Sequence, residues 1–208
     1  MRTLKKSIWS YMYKVTFALV SVILISIMAL NIANEQSRAQ GSADKIFEQM
    51  DKMLEENQKE LTRLRQEYAA KCLHNTEAIA YILEKNTGVG NDRYELRKIA
   101  EFMEVDEIHI IDAAGEIVSG THPQYYGYSF DSGEQMNYFK PMLKNKSLTM
   151  CQDVTPNTAE GKKMMYAITW NEDGTKMLQV GIKPKRLLNE IKQNNISNVV
   201  AGMPVYKG

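Results

Sequence analysis

The first pattern along the chain is an unbroken apolar run. Residues 15–34 (VTFALVSVILISIMALNIAN) carry no formal charge. At about 1.5 Å of rise per residue, a helix of this length spans roughly 30 Å, the hydrocarbon thickness of a bilayer. Arg2, Lys5, Lys6 and Lys14 precede the run and Glu35 follows it. The positive-inside rule therefore puts residues 1–14 in the cytoplasm and everything after residue 34 outside, on a single-pass cell-membrane protein. Trp9, Tyr11 and Tyr13 stand where interfacial aromatics lie. A cleaved signal peptide is the competing reading. Its apolar core runs about 7–15 residues and ends at a small-x-small site, of which Ser37-Arg38-Ala39 is a poor version. A retained anchor is expected, and both readings export the rest of the chain.

After the anchor the pattern becomes a helical stripe. Ile46, Met50, Met53, Asn57, Leu61, Leu64, Tyr68, Cys72, Asn75, Ile79 and Ile82 recur in steps of three and four. The mean step, about 3.6 residues, predicts one nearly straight helix over 42–85, roughly 65 Å long. Its first half is charged on the other faces, with pairs such as Glu48–Lys52 and Glu55–Lys59 at helical spacing that make a solvated surface. That half reads as a stalk, paired with a second copy or with a returning helix. The second half, from Tyr68, is more apolar and is expected to pack on a domain. Asn86-Thr87-Gly88 ends the helix, with Gly88 or Gly90 suited to the left-handed C-cap.

Residues 86–193 show short alternating runs separated by turn signals. Asp92 with Glu95 resembles a capping box opening a helix whose face carries Leu96, Ile99 and Met103. Strands are predicted over 107–112, 116–121, 148–155, 163–170 and 176–183, with turns at Ala113-Ala114-Gly115 and Asn171-Glu172-Asp173-Gly174. A helical insert follows Ser132, broken by Pro141. Pro184 opens a closing helix. The expected fold class is α+β: a transmembrane helix, a stalk helix, and a five-stranded antiparallel sheet with flanking short helices. The ending, residues 194–208, reads as the start of a following segment, so the chain is expected to be the N-terminal part of a longer receptor.

This order of elements resembles the Cache family of extracellular sensor domains, which have a PAS-like sheet. The resemblance rests on the long helix leaving the membrane, on EIHIIDAAGEIVSGTHPQYYGYSF, on GEQMNYFKPMLKNKSLTMCQDV and on KKMMYAITWNEDGTKMLQVGIKPKRLL. It implies the input module of a chemoreceptor, sensor histidine kinase or diguanylate cyclase. A small-molecule ligand would then sit between the sheet and the segment after its second strand. Many amino-acid-binding relatives place an Arg before an aromatic pair to clamp a carboxylate. Here Met136 stands in that place, before Asn137, Tyr138 and Phe139, which weighs against a carboxylate ligand. By position, the pocket candidates are Tyr126, Tyr128, Met136, Tyr138, Asp153, Tyr166 and Trp170. The bland alternative makes the aromatics core or rim residues and Asp153 a turn residue.

Composition narrows the function further. Lys and Arg number 26 against 25 Asp and Glu, so no basic field recruits nucleic acid. Cys72 and Cys151 are too few for a disulfide scaffold, lack metal spacing, and are expected as free thiols. His74, His109 and His122 show no zinc spacing. His109, between Ile108 and Ile110, is expected to face outward or cap the sheet. Asp112 reads as a turn-forming carboxylate. No nucleophile elbow, phosphate-binding glycine loop or paired carboxylates occur, so no enzyme, metal site or cofactor is expected in this segment. A small-molecule sensor, dimeric through its stalk, is the leading reading. An anchored envelope protein, structural or protein-binding and assembling through a coiled stalk, is the other.

Overall fold

The computed structural model describes residues 2–193, with side chains from Trp9 onward. Residues 194–208, read above as the start of a further segment, lie outside the described residues. The chain forms two units, Met1–Glu56 and Asn57–Gly208. One helix, α1 (Arg2–Lys85), supplies the described part of the first unit and enters the second. Within the first unit it is long and apolar enough to cross a membrane, and none of its most apolar window is buried by other parts of the chain. No break separates the apolar run from the stripe. Residues 35–41 contain no proline and only one glycine, Gly41, so nothing there stops helix propagation.

In the second unit α1 is followed by a short 3-10 turn (Val89–Asn91), α2 (Arg93–Phe102), β1 (Glu107–Asp112) and β2 (Ile117–Gly120). Then come α3 (Glu134–Asn137), β3 (Met150–Pro156), β4 (Lys163–Trp170), β5 (Lys176–Ile182) and α4 (Lys185–Gln193). The expected left-handed glycine cap on α1 is not found. Gly88 has φ −83°, because the chain continues directly into the 3-10 turn, where right-handed geometry is needed. The Asp92 cap is present: its carboxylate accepts from the Tyr94 and Glu95 amides. Glu95 itself turns to Lys98, so the reciprocal half of the capping box is missing. Asp112 makes the turn expected of it, accepting from the Ala114 and Glu116 amides. Gly115 there has φ 90°, a conformation that disfavours any side chain.

The five strands form one antiparallel sheet in the order β2-β1-β5-β4-β3. Strand alternation sends each strand's residues to two different cores. On one face Ile108, Ile110, Met165, Ala167, Leu178, Val180 and Ile182 meet Leu64, Cys72 and Ile79 of α1, with α2 and α4 contributing Leu96 and Leu187. These α1 positions belong to the stripe read from the sequence. Asn75, polar within that stripe, donates to the Met103 carbonyl at 3.0 Å. Cys72 and Cys151 are both free. The Cys72 thiol donates to the Val180 carbonyl at 3.5 Å; the neighbouring Cys151 and burial push Cys72 up, while Cys72 draws Cys151 down against the effect of burial. The other face carries Ile111, Ile117, Met164, Tyr166, Ile168, Trp170 and Met177. It is covered by the segment between β2 and β3, chiefly Tyr125, Phe130, Met136, Phe139 and Met142.

Candidate functional site

The second face differs from the first in carrying polar groups at its centre. Along β1 the residues that turn to it are Glu107, His109 and Ile111; from β5 come Met177, Gln179 and Gly181. His109 is therefore not an outward-facing residue. It is 2% exposed, because β1 is an inner strand with both faces covered and the sequence alternation gave no sign of the second cover. His109 lies directly across from Gln179, and Glu107 directly across from Gly181. On the next strand Tyr166 pairs with Gly181. Glycine between those two partners opens a path across β5. The Tyr166 hydroxyl uses it, donating to Glu107 Oε2 at 2.7 Å. A Cβ at Gly181 would stand 2.5 Å from Tyr166 Cε1 and 3.2 Å from Glu107 Cβ.

The protonation states follow from this geometry. Gln179 Oε1 can only accept, so the 3.0 Å contact with His109 Nδ1 places the imidazole proton on Nδ1. Burial pushes His109 down to about 4, so the ring is neutral near neutral pH and Nε2 presents a bare lone pair. Burial also raises the Glu107 carboxyl, only partly offset by the Tyr166 hydrogen bond. His109 Nε2 stands 3.6 Å from Glu107 Oε2, beyond hydrogen-bonding reach. Burial moves the Tyr166 and Tyr125 hydroxyls well above the ordinary phenol range, so both stay protonated.

His109, Gln179, Tyr166 and Tyr125 border a cavity of about 20 Å³ beneath the β2–β3 segment, with Glu107 behind its wall, enough for one water-sized group. Its walls include His109, Gln179, Tyr166, Tyr125, Tyr128 and Met136. Among the described residues, two fully buried side-chain nitrogens lack a hydrogen-bond partner, His109 Nε2 and Gln179 Nε2, and both residues line it. The rings are arranged around it: Tyr125 meets His109 edge-on at 5.5 Å and Tyr128 edge-on at 6.3 Å, and stacks on His122 at 5.4 Å. A larger groove of about 430 Å³ opens near the end of α1 and the β4–β5 turn. Its exposed rim charges and satisfied polar groups, such as Glu84 accepting from the Glu172 amide, give it less claim to specific binding.

Of the seven residues picked from the sequence, the structure brings Tyr128, Met136 and Tyr166 together at the cavity. Tyr126 is 40% exposed and its hydroxyl donates to the Gly120 carbonyl. Tyr138 is 44% exposed and donates to the Cys151 carbonyl. Asp153 is exposed and pairs with Arg65 at 3.3 Å. Trp170 is buried on the same sheet face but away from the cavity, donating to the Met142 carbonyl. His109, Gln179 and Tyr125, which line the cavity, and Glu107, which accepts from Tyr166 in its wall, were not picked from the sequence. A signal existed: EIHIID places Glu107 and His109 at alternate positions of an apolar strand, and KMLQVGI places Gln179 in the apolar interior of another. No cluster of metal-ligating residues occurs among the described residues.

No protein-family model matches the chain, and no curated protein is detectably similar to it. Several solved structures are similar. One is an extracellular ligand-binding receptor from Desulfohalobium retbaense, 21% identical over 65% of this chain and 27% of that one, with TM-score 0.46. A second is the E. coli DcuS sensor domain, 15% identical over 62% of this chain and 98% of that one, TM-score 0.46. A third is the V. cholerae histidine kinase DctB sensor domain, 16% identical over 72% and 62%, TM-score 0.49. The chain thus spans about a quarter of the first of these and less than two thirds of the third.

Proposed function

We propose that this chain is the sensing part of a membrane receptor, anchored by residues 15–34, with residues 86–193 outside the cell and no catalytic step of its own. The cavity under the β2–β3 segment is the ligand site. The observation that carries this reading is the pair of orphaned polar nitrogens, fully buried and facing that cavity. A purely structural core satisfies its buried polar groups, since each unmade hydrogen bond costs about 1–3 kcal/mol. A cost retained at one cavity, walled by a short helix and a loop, fits a site that is completed by a ligand. The resemblance of the sequence to Cache domains points the same way.

The sheet supplies the link to signalling. Ligand contacts fall on one face, and α1 packs on the other through Leu64, Cys72 and Ile79. A ligand that favours one packing of the sheet biases the arrangement of α1, and α1 is also the membrane-anchoring helix. Phe47 and Leu54, seven residues apart and 64% and 40% exposed, give the first unit an apolar seam suited to a parallel second copy. A homodimer through that helix is part of the proposal. The test is thermal unfolding of the full chain in detergent against a broad metabolite library. Saturable stabilisation by one chemical class supports sensing, whereas a flat response across the library counts against it.

A further inference from the structure

The two cysteines, which the ligand site does not use, stand on either side of the contact between α1 and the sheet. Cys72 belongs to the stripe of α1 and is fully buried. Its Sγ lies 3.5 Å from the Val180 carbonyl of β5 and 3.9 Å from the Met165 carbonyl of β4. Cys151 is on β3, directly across from Ala167 of β4, and Ala167 in turn pairs with Val180. Direct partners on neighbouring strands send their side chains to one face of the sheet. Cys151 therefore points to the face that α1 covers, where it is half-buried and packs against the same apolar core as Cys72. The Ala167 backbone, facing Cys151 across the ladder, also acts on the Cys72 thiol.

A second contact fixes the same alignment. Arg65 is seven residues before Cys72, two turns back on the same side of α1. It pairs at 3.3 Å with Asp153, two residues beyond Cys151 on β3. The helix thus passes over β3 with Arg65 above Asp153 and Cys72 beside Cys151. β3 is an edge strand with one strand neighbour, and its ladder is irregular between Gln152 and Thr155. It is the strand with the weakest hold in the sheet on this side, and α1 is the anchoring helix. The chain contains no other cysteine, so each thiol has one possible partner within the molecule.

The geometry points to a modification site: a disulfide between Cys72 and Cys151, formed under oxidising conditions, that pins α1 to the edge of the sheet. The structure shows its reduced form. Residues beyond the anchor lie outside the cytoplasm, where disulfides form and persist. The oxidant is a disulfide, RSSR. Cys151 is the thiol a reagent can reach, and Cys72 draws it down towards the reactive thiolate. The Cys151 thiolate attacks RSSR, giving Cys151–S–S–R, and the released thiolate takes up a proton as RSH. Cys151 is the largest influence holding Cys72 protonated, and capping it removes that influence. Cys72 then gives up its proton, attacks the Cys151 sulfur and expels the second RSH. The two cysteines lose two electrons and two protons, and RSSR gains both. This inference goes beyond the ligand reading and does not depend on it.

The test uses the full chain in lipid nanodiscs, equilibrated in buffers of oxidised and reduced glutathione. Remaining thiols are trapped with N-ethylmaleimide in denaturant and counted by mass. Both thiols are expected to disappear together, leaving a mass lower by two hydrogens and a peptide that joins Cys72 to Cys151. The closed loop of about 80 residues restricts the unfolded chain, so Tm should rise by roughly 10 °C. Dithiothreitol should reverse the rise, which makes the wild type its own control. Cys151→Ala should leave Cys72 reduced in the same buffers and abolish the rise. Hydrogen exchange over residues 64–80 should slow in the oxidised wild type. Two thiols persisting in excess oxidised glutathione overturn the proposal, as does glutathione retained on Cys151 or a cross-link between copies. A disulfide that forms without raising Tm or slowing exchange in α1 overturns the pinning.

Discussion

Gly181→Ala isolates the steric feature on which the site is built. Gly181 has no left-handed φ, so alanine is compatible with the backbone and the whole effect comes from one methyl group. That methyl would lie 2.5 Å from Tyr166 Cε1 and 3.0 Å from Cδ1, so the ring must move. Displacing a packed ring in a full core costs about 1–3 kcal/mol. The moved ring also loses its hydroxyl contact with Glu107, and a hydrogen bond to a buried carboxyl contributes about 1.5–3 kcal/mol. The two losses share one displacement and are not additive, so about 3 kcal/mol is expected in total. For a domain of this size that lowers Tm by roughly 6–12 °C. The assay is a double-mutant cycle with Tyr166→Leu, followed by urea unfolding in detergent. Without the ring the methyl has room, and Gly181→Ala should then cost less than about 0.5 kcal/mol. An equal cost in both backgrounds, or none in the wild type, would refute the proposed role of Gly181.

Three further outcomes follow from individual contacts. His109 titrates at about 4 when folded against 6.5 ordinarily, so its contribution is complete above pH 6.5 and is lost as pH falls towards 4, by about 3 kcal/mol. Glu107, raised by burial, works in the opposite sense, its contribution present at low pH and lost as pH climbs above 4.5. The acid loss is therefore measured most cleanly by comparing Glu107→Gln with Glu107→Gln/His109→Phe across that range; parallel profiles would contradict it. Leu64→Ala removes a fully buried side chain of α1 and should cost about 3 kcal/mol in chemical denaturation; a change below about 1 kcal/mol would show that α1 is loosely packed there. Asp153→Asn breaks an ion pair whose partners are about half exposed, so stability should change by no more than about 0.5 kcal/mol. Unaltered ligand titrations in that variant place Asp153 outside the site, and weakened binding would restore it as a candidate.

The fold was legible wherever one periodicity dominated. The 3.6-residue stripe identified α1 and its buried positions Leu64, Cys72 and Ile79. The alternating runs gave all five strands within one or two residues, because Gly115 and the Asn171–Gly174 turn punctuate them. Strand order was not legible, since pairing β1 with β5 depends on contacts more than sixty residues apart. Its absence explains the site residues that were missed. Without knowing that β1 is an inner strand, the alternation of Glu107 and His109 with isoleucines reads equally well as a solvent-facing side of the strand. Only the pairing puts Gly181 between Glu107 and Tyr166. Tyr128, Met136 and Tyr166 could be read from their places on the covering segment and on β4. Tyr126 and Tyr138 share the same segment but point their hydroxyls to backbone carbonyls at its edge, which depends on local turns that residue type does not encode.

The coupling of ligand to α1 through the sheet is tested most directly by hydrogen exchange of the full chain in nanodiscs, with and without a saturating concentration of the compound that most stabilises it in the metabolite screen. Slower exchange is expected over residues 121–138, which cover the cavity, together with a change over residues 64–80 of α1 on the opposite face. Protection confined to the covering segment, with α1 exchanging as before, would contradict the transmission of ligand binding to the anchoring helix.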